Sequence, residues 1–276
     1  MGSERLYFYV KINLKGLINL EFKGKNVFIT GAASGIGRAV AIEFAKSGAN
    51  IAAVDISATG LDELSSIIKQ TGGECLPLIA DVSRDEEMGA VFKKLNMEHL
   101  DIVFSNAGIN GMWSPIEELP VEEWDKTLAI NLRGTFLTFR YAIPLMKQCG
   151  GSIVINSSVN GTRCFTKRGA CAYVSSKAAQ EAFGKQAALE LAEYGIRVNV
   201  ICPGATQTGI VNHTFNVGNQ RLKKWVDYPN GIIPLTGNTW AVAEQVAASV
   251  IFLSGQGASH ISGAVLHIDG ASSLIM

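Results

Sequence analysis

Neither sign of charge is in excess in this chain: its 276 residues carry 24 Lys and Arg against 24 Asp and Glu. A balanced surface offers no net field to draw in nucleic acid or an anionic membrane, so neither is expected as a partner. Cysteine is sparse and unpatterned. Cys75, Cys149, Cys164, Cys171 and Cys202 are odd in number and lack the Cys-x-x-Cys spacing of a metal or redox centre, so they read as reduced thiols of a cytoplasmic protein. His213 has no second ligand type at suitable spacing, and no metal is expected. No stretch approaches the roughly 20 uninterrupted apolar residues of a membrane span. The opening "MGSERLYFYVKINLKGLINLEF" is broken by Lys11 and Lys15, has no small-residue cleavage site, and has Leu6 where myristoylation needs Ser or Thr. Residues 1–22 are therefore expected to be an arm ahead of a single domain over 23–276.

From Lys25 onward the chain alternates. "NVFIT", "NIAAVD", "CLPLIAD", "LDIVFSNAG", "GSIVINSS", "IRVNVICPG" and "AVLHIDG" read as strands, and the segments between them carry apolar residues at helical spacing. The segment "VEEWDKTLAINLRGTFLTFRYAIPLMKQ" reads as one long helix kinked at Pro144. Strand runs without strict alternation, separated by helices, predict a parallel sheet covered on both faces: an α/β, doubly wound, Rossmann-type, three-layer domain. Ligands bind beyond the carboxyl ends of the strands in such a sheet.

"TGAASGIG", Thr30 to Gly37, follows the first strand and opens a helix. Gly31, Gly35 and Gly37 suit a tight turn, a close backbone approach and close helix packing, and with Ser34 and Ile36 they present N–H groups to a pyrophosphate. Asp55 ends the second strand 20 residues beyond Gly35. A carboxylate there accepts from both adenosine ribose hydroxyls and repels a 2'-phosphate, and no basic residue lies in the turn before Arg38, so NAD is favoured over NADP. Asp81 and Val82, ending the third strand, are placed near the adenine, with the Asp81 carboxylate either accepting the exocyclic amine or capping the next turn. Asn106, Ala107 and Gly108 end the fourth strand, where small residues let the backbone approach the cofactor.

Tyr173 and Lys177 stand at i and i+4 in "YVSSK", on one face of a predicted helix. A free phenol is a poor base at neutral pH, and a neighbouring ammonium is expected to lower its pKa. The pair alone is usually structural; its context is what makes it chemical. Ser157 and Ser158 lie at the carboxyl end of the fifth strand, and either hydroxyl could orient a substrate oxygen toward the phenol. Asn131, a polar residue in an apolar helix, either satisfies a helix irregularity or holds a water linking the lysine to solvent.

These elements together resemble the short-chain dehydrogenase/reductase family over residues 23–272: "TGAASGIG", Asp55, "NAG" at 106–108, Asn131, "SS" at 157–158, "YVSSK" at 173–177, and "PG" at 203–204. The resemblance implies that Ser158, not Ser157, is the catalytic serine, that Tyr173 is the acid-base, that Lys177 tunes it and holds the nicotinamide ribose, and that Asn131 completes the proton relay. It implies that Ile201 to Gly204, with Pro203 and Gly204 among them, border the nicotinamide, and that Thr206 or Thr208 lies near its carboxamide or the diphosphate. It implies hydride transfer between a nicotinamide and a secondary alcohol or ketone, and a homodimer or homotetramer built by pairing helices near 123–148 and 173–193. Three departures stand out. Ser105 replaces the usual Asn before "NAG"; the 159–172 loop is about two residues longer than the common spacing and carries Arg163, Lys167 and Arg168; and the amino-terminal arm is extended.

Residues 205–239 exceed an ordinary connection of roughly two to six residues and are expected to form a substrate lid beside the crevice. Ile210, Val211, Phe215, Val217, Leu222, Trp225, Val226 and Tyr228 would face Met112 and Trp113, walls that suit an apolar or cyclic substrate, or they simply bury against helices. Asn160, Phe165 and His213 are further substrate candidates beside Ser158 and Tyr173, and Lys223 and Lys224 either attract a carboxylate or solvate the lid. A nicotinamide-dependent epimerase or dehydratase, and a non-catalytic NAD-binding regulator, are the alternative readings.

Overall fold

The structure is a computed structural model that describes residues 22–165, 168–210, 214–218 and 231–275. The expected arm, apart from Phe22, lies outside these residues. Phe22 itself is core: it is buried and meets Phe44 edge-on at 5.0 Å between ring centroids.

Seven strands form one parallel sheet: β1 (Asn26–Thr30), β2 (Asn50–Asp55), β3 (Glu74–Ile79), β4 (Ile102–Ser105), β6 (Gly151–Asn156), β7 (Ile196–Pro203) and β11 (Val265–Ile268). Their spatial order is β11-β7-β6-β4-β1-β2-β3. Helices α1 (Gly35–Lys46), α2 (Ala58–Gln70), α3 (Asp85–Lys94), α4 (Val121–Leu128), α5 (Gly134–Met146), α6 (Cys171–Leu191) and α7 (Ala243–Ser254) cover its two faces.

Strand periodicity sets the core. In β1, Phe28 points into the cluster with Leu100, Met146 and Phe139, while Val27 and Ile29 point into the one with Phe44, Leu61 and Phe104. Each such side chain contributes roughly 1.5–3 kcal/mol by burial. Pro77 lies in β3, an edge strand, where its missing N–H costs no ladder bond.

The long helical stretch runs through Pro144 to Met146, and it carries an irregularity the sequence did not announce about two turns after its start, where Ala129–Arg133 forms a π-turn between α4 and α5. The Gly134 N–H donates to the Ala129 carbonyl there, which widens the winding and frees a carbonyl that an α-helix would use.

Residues 205–239 contain short pairings. β8 (Thr206–Gln207) pairs with β10 (Ala241–Val242), and β9 (Thr214–Asn216) pairs in parallel with β5 (Gly111–Trp113), which sets Met112 opposite Phe215. The carboxyl ends of β1, β2, β4, β6 and β7 share one edge of the sheet. The order reverses around β1, which lies between β2 and β4, so the crevice opens there.

Candidate functional site

The turn after β1 is built by close approach. Gly31 and Gly35 have φ of 65° and 53°, the left-handed region that glycine adopts at little cost. A Cβ on Gly37 would collide with the Gly31 carbonyl, and one on Gly31 would lie 2.8 Å from Asn106 Nδ2. Asn106 locks the turn: its Nδ2 donates to the Thr30 and Gly31 carbonyls at 3.0 and 3.1 Å, and its Oδ1 accepts from Asn156 Nδ2 at 2.8 Å. Thr30 Oγ1 accepts from the N–H groups of Asn106 and Ala107. Exposed Ser34 caps α1 without a side-chain bond, half-buried Ile36 packs on the core, and no acidic residue occupies the first turn of α1. That helix end carries uncancelled positive dipole.

Asp55 lies beside this turn. Its Oδ2 accepts from Ala33 N–H and its Oδ1 from Ser57 N–H, each at 3.0 Å. These bonds aim the carboxylate and leave lone pairs for two hydroxyls. Asp81 proves to be a turn cap: its Oδ1 accepts from the Ser83 N–H at 2.9 Å and hydroxyl at 2.7 Å. Partial burial pulls this carboxyl up, but the Ser83 bonds and the Arg84 cation hold it below its ordinary value. Val82 is buried against Gly134 at the π-turn.

Tyr173 and Lys177 lie on the buried face of α6, 7% and 3% exposed. The Ser158 hydroxyl lies close enough to the phenol to lower its pKa, and it accepts from Asn160 N–H at 3.1 Å. Ser157 is engaged elsewhere: its hydroxyl donates to the Lys177 carbonyl at 2.8 Å. The two serines are thus separated by geometry. Lys177 Nζ donates to the Asn156 carbonyl at 2.8 Å and lies 5.7 Å from the Tyr173 ring centroid.

The expected lowering of the phenol pKa by the ammonium is not what these contacts produce. Burial pushes Tyr173 up, the Ser158 hydroxyl opposes this, and Cys202 adds to the rise. Lys177 is itself weakened by burial to about 8, against a smaller upward pull from Cys202.

Asn131 is fully buried. It sits in the π-turn, and its Oδ1 accepts from Ile109 N–H at 2.9 Å while its Nδ2 donates to the Ile109 carbonyl at 3.0 Å and to Ser176 Oγ at 2.9 Å. Gly108 fits between Asn131 and Lys177: a Cβ there would lie 3.1 Å from Asn131 Oδ1 and 3.5 Å from Lys177 Nζ.

Beyond β7, Pro203 accepts from Val159 N–H, and Gly204 passes so close to Asp269 that a Cβ would lie 2.8 Å from the Asp269 Cβ. Thr206 turns its hydroxyl to the Gly204 carbonyl at 3.1 Å. Thr208 packs on the glycine turn, 3.2 Å from where a Gly35 Cβ would be.

Of the substrate candidates, Met112 and Trp113 are half-buried on β5, and Asn160 abuts Ser158 through its N–H. Half-buried Ile210 accepts from Thr214 Oγ1 at 3.4 Å. Phe165 is 69% exposed, and Phe215 and Val217 are also exposed, so these three are not packed away beneath helices. His213 and Trp225 lie outside the described residues, as do Lys167, Val211, Leu222, Lys223, Lys224, Val226 and Tyr228. A cavity of about 770 Å³ lies at the opposite end of the sheet, bordered by Lys25, Asp101, Arg197 and His260, and none of the candidate residues lines it. Among the described residues no cluster could hold a metal ion, and no helix is long and apolar enough to cross a membrane.

A glycine turn, a carboxylate ending β2 and a Ser-Tyr-Lys group around one crevice are joined by independent likeness. A family model described as enoyl-(acyl carrier protein) reductase matches residues 31–272. The chain belongs to the short-chain dehydrogenase/reductase family. It is 37% identical to an uncharacterized oxidoreductase of Thermotoga maritima over 93% of this chain and all of that protein. It is 33% identical to levodione reductase of Leifsonia aquatica, covering 91% of this chain and 95% of that one. The crystal structure of a 3-ketoacyl-ACP reductase from Sinorhizobium meliloti superposes with a TM-score of 0.87 at 42% identity, over 91% of this chain and all of that chain. The protein is therefore an oxidoreductase enzyme of alcohols and ketones with a nicotinamide cofactor, and its glycine turn has the cradle such a cofactor needs.

Sequence reasoning missed several partners in this family site. Ser176 and Gln180 continue the buried face begun by Tyr173 and Lys177, and both are at most 1% exposed. Polar residues at i+3 and i+7 of a helix already carrying the pair were a usable signal. Thr135, Asn156 and the Asn156 carbonyl carried no such pattern.

Proposed function

We propose that this short-chain dehydrogenase/reductase is NAD-dependent and interconverts an apolar or cyclic secondary alcohol with its ketone. The observation that carries the reading is the gathering of buried Ser158, Tyr173 and Lys177 at one place, with Lys177 Nζ 5.7 Å from the Tyr173 ring centroid, at the same sheet edge as the Asp55 carboxylate.

The glycine turn and the amino end of α1 would hold the pyrophosphate, with Thr208 against it, and Asp55 would accept from the adenosine ribose hydroxyls. The same carboxylate disfavours a 2'-phosphate by charge repulsion. When bound, the nicotinamide supplies the acceptor or donor of the hydride. In the oxidative direction Tyr173 takes the hydroxyl proton from the substrate while Ser158 donates to the developing alkoxide. Lys177 holds the ribose and passes the proton on toward Asn131. Met112, Trp113, Ile210 and Phe215 supply apolar walls for the substrate. Their mixture of half-buried and exposed surface favours a substrate with more than one apolar face.

We further propose that 205–239 acts as the substrate lid and that copies of the chain pair through α4, α5 and α6. Phe136 on α5 and Leu189 on α6 are 45% and 74% exposed on those helices, which favours a covered state.

The test is the absorbance of reduced nicotinamide when the purified protein meets NAD or NADP with cyclohexanol, 2-octanol and steroid secondary alcohols, and NADH or NADPH with the ketones. NAD-linked turnover with one of them is expected. Bound NADH without turnover of any member of the panel would favour the epimerase or regulatory reading.

A further inference from the structure

Tyr173, Ser176, Lys177 and Gln180 fall at i, i+3, i+4 and i+7 of α6 and are 7%, 0%, 3% and 1% exposed. They share one buried face of α6, from which Ser176 and Gln180 reach the π-turn of Ala129–Arg133. The first and third belong to the proposed proton transfer. The last has had no role.

Gln180 Nε2 donates to the Asn131 carbonyl at 2.8 Å and to Thr135 Oγ1 at 2.7 Å. Thr135 Oγ1 donates to the same carbonyl at 2.8 Å and receives the Ser105 hydroxyl at 3.4 Å. The carbonyl that the π-turn releases thus has both lone pairs occupied by side chains. The Ser105 that departs from the family's usual Asn belongs to this same chain of bonds.

The bonds come at a cost. Gln180 Oε1 is buried with no donor among the described residues. An unsatisfied buried acceptor costs about 1–3 kcal/mol, which leucine or methionine at this position would avoid. A side chain that keeps this penalty is best explained by what its Nε2 holds.

What it holds is the backbone from which Asn131 reaches Ile109. The Asn131 amide clamps both the N–H and the carbonyl of Ile109, directly after Asn106–Gly108, and Gly108 is wedged against Asn131 Oδ1 and Lys177 Nζ. We propose that Gln180 is a positioning residue: it fixes the Asn131 carbonyl, and through the Asn131 amide it sets the loop after β4 against Lys177. This rests on the oxidoreductase reading of Tyr173 and Lys177 only for its catalytic consequence; the positioning itself is testable without turnover.

The experiment is hydrogen–deuterium exchange of the full-length protein, comparing wild type with Gln180→Met and Gln180→Leu, two changes of similar size that remove the donor. Exchange over residues 106–111 is expected to rise at least about tenfold while β1 stays protected. The same exchange rise is expected in Asn131→Ala, with no further increase when Gln180→Met is added. Unchanged exchange at 106–111 in both glutamine variants, or full additivity with Asn131→Ala, overturns the inference. With NAD and an alcohol that the wild type turns over, kcat should fall about 10- to 100-fold with the KM for NAD within about twofold. Equal losses in kcat and cofactor affinity would instead mark a general structural role. If Tyr173→Phe retains turnover, the oxidoreductase assignment of that residue fails independently, and the exchange result still decides on Gln180.

Discussion

Lys177 Nζ points its hydrogen bond at the Asn156 carbonyl, 2.8 Å away, and makes no ion pair among the described residues. A buried ammonium held by a neutral acceptor is destabilised relative to its free base, and burial lowers its pKa from 10.5 to about 8.

That shift ties stability to pH with a definite sign. Below about pH 8 both the folded and unfolded chains carry the charge, and the folded state bears its full desolvation cost. As pH rises from about 8 toward 10.5 the folded state releases the proton while the unfolded chain keeps it, so the cost is progressively relieved. Lys177→Met should therefore be more stable than wild type by roughly 1–3 kcal/mol at pH 7, allowing for the unpaired Asn156 carbonyl. The gain should shrink by pH 10. Denaturant unfolding at both pH values checks this; a variant less stable at pH 7, or a gain that does not change with pH, contradicts it.

Asp55 is aimed by Ala33 and Ser57 N–H groups toward where a ribose would lie. Asp55→Asn removes the charge and keeps the shape. The ratio of kcat/KM for NAD over NADP should fall at least about tenfold, since repulsion of the 2'-phosphate is lost together with a charge-assisted acceptor. A ratio within twofold of wild type would remove Asp55 from cofactor selection.

Ala271 is the only described non-glycine residue with positive φ, at 68°. Its N–H donates to Asp269 Oδ1 at 3.1 Å and the Ser273 N–H to Asp269 Oδ2 at 2.8 Å, so the carboxylate holds the turn in this conformation. A left-handed alanine costs about 1–2 kcal/mol, and glycine returns part of that as unfolded-state entropy. Ala271→Gly should raise the unfolding free energy by about 0.5–1 kcal/mol, and Ala271→Val should lower it. Equal stability of alanine and valine variants by denaturant titration would show that the turn relaxes.

The sheet was legible because its strands are buried on both faces and bounded by glycine or polar turns, a pattern that only a covered parallel sheet produces. Gly31 and Gly37 were legible because close backbone contact permits few residue types. Which serine meets the phenol was not legible from adjacency, since Ser157 and Ser158 differ only in which way the end of β6 turns them. The π-turn in the long helix went unread because proline is the usual signal of an irregularity; a π-turn has no sequence signature beyond the buried Asn131 that it presents. Asp81 showed a carboxylate but not its partner, because Ser83 two residues on competes locally with any ligand. Ser176 and Gln180 were legible in periodicity but not in function, since their partners Asn131 and Thr135 come from another element.

The most direct test of the central claim replaces one oxygen. Tyr173→Phe keeps the ring in its buried place on α6 and removes the hydroxyl beside Ser158. With NAD and the alcohol that the wild type turns over best, kcat is expected to fall by roughly 100-fold or more while NADH binding, read by its fluorescence, stays within about threefold. Near-normal turnover with NADH bound would contradict the assignment of Tyr173 as the group that moves the proton.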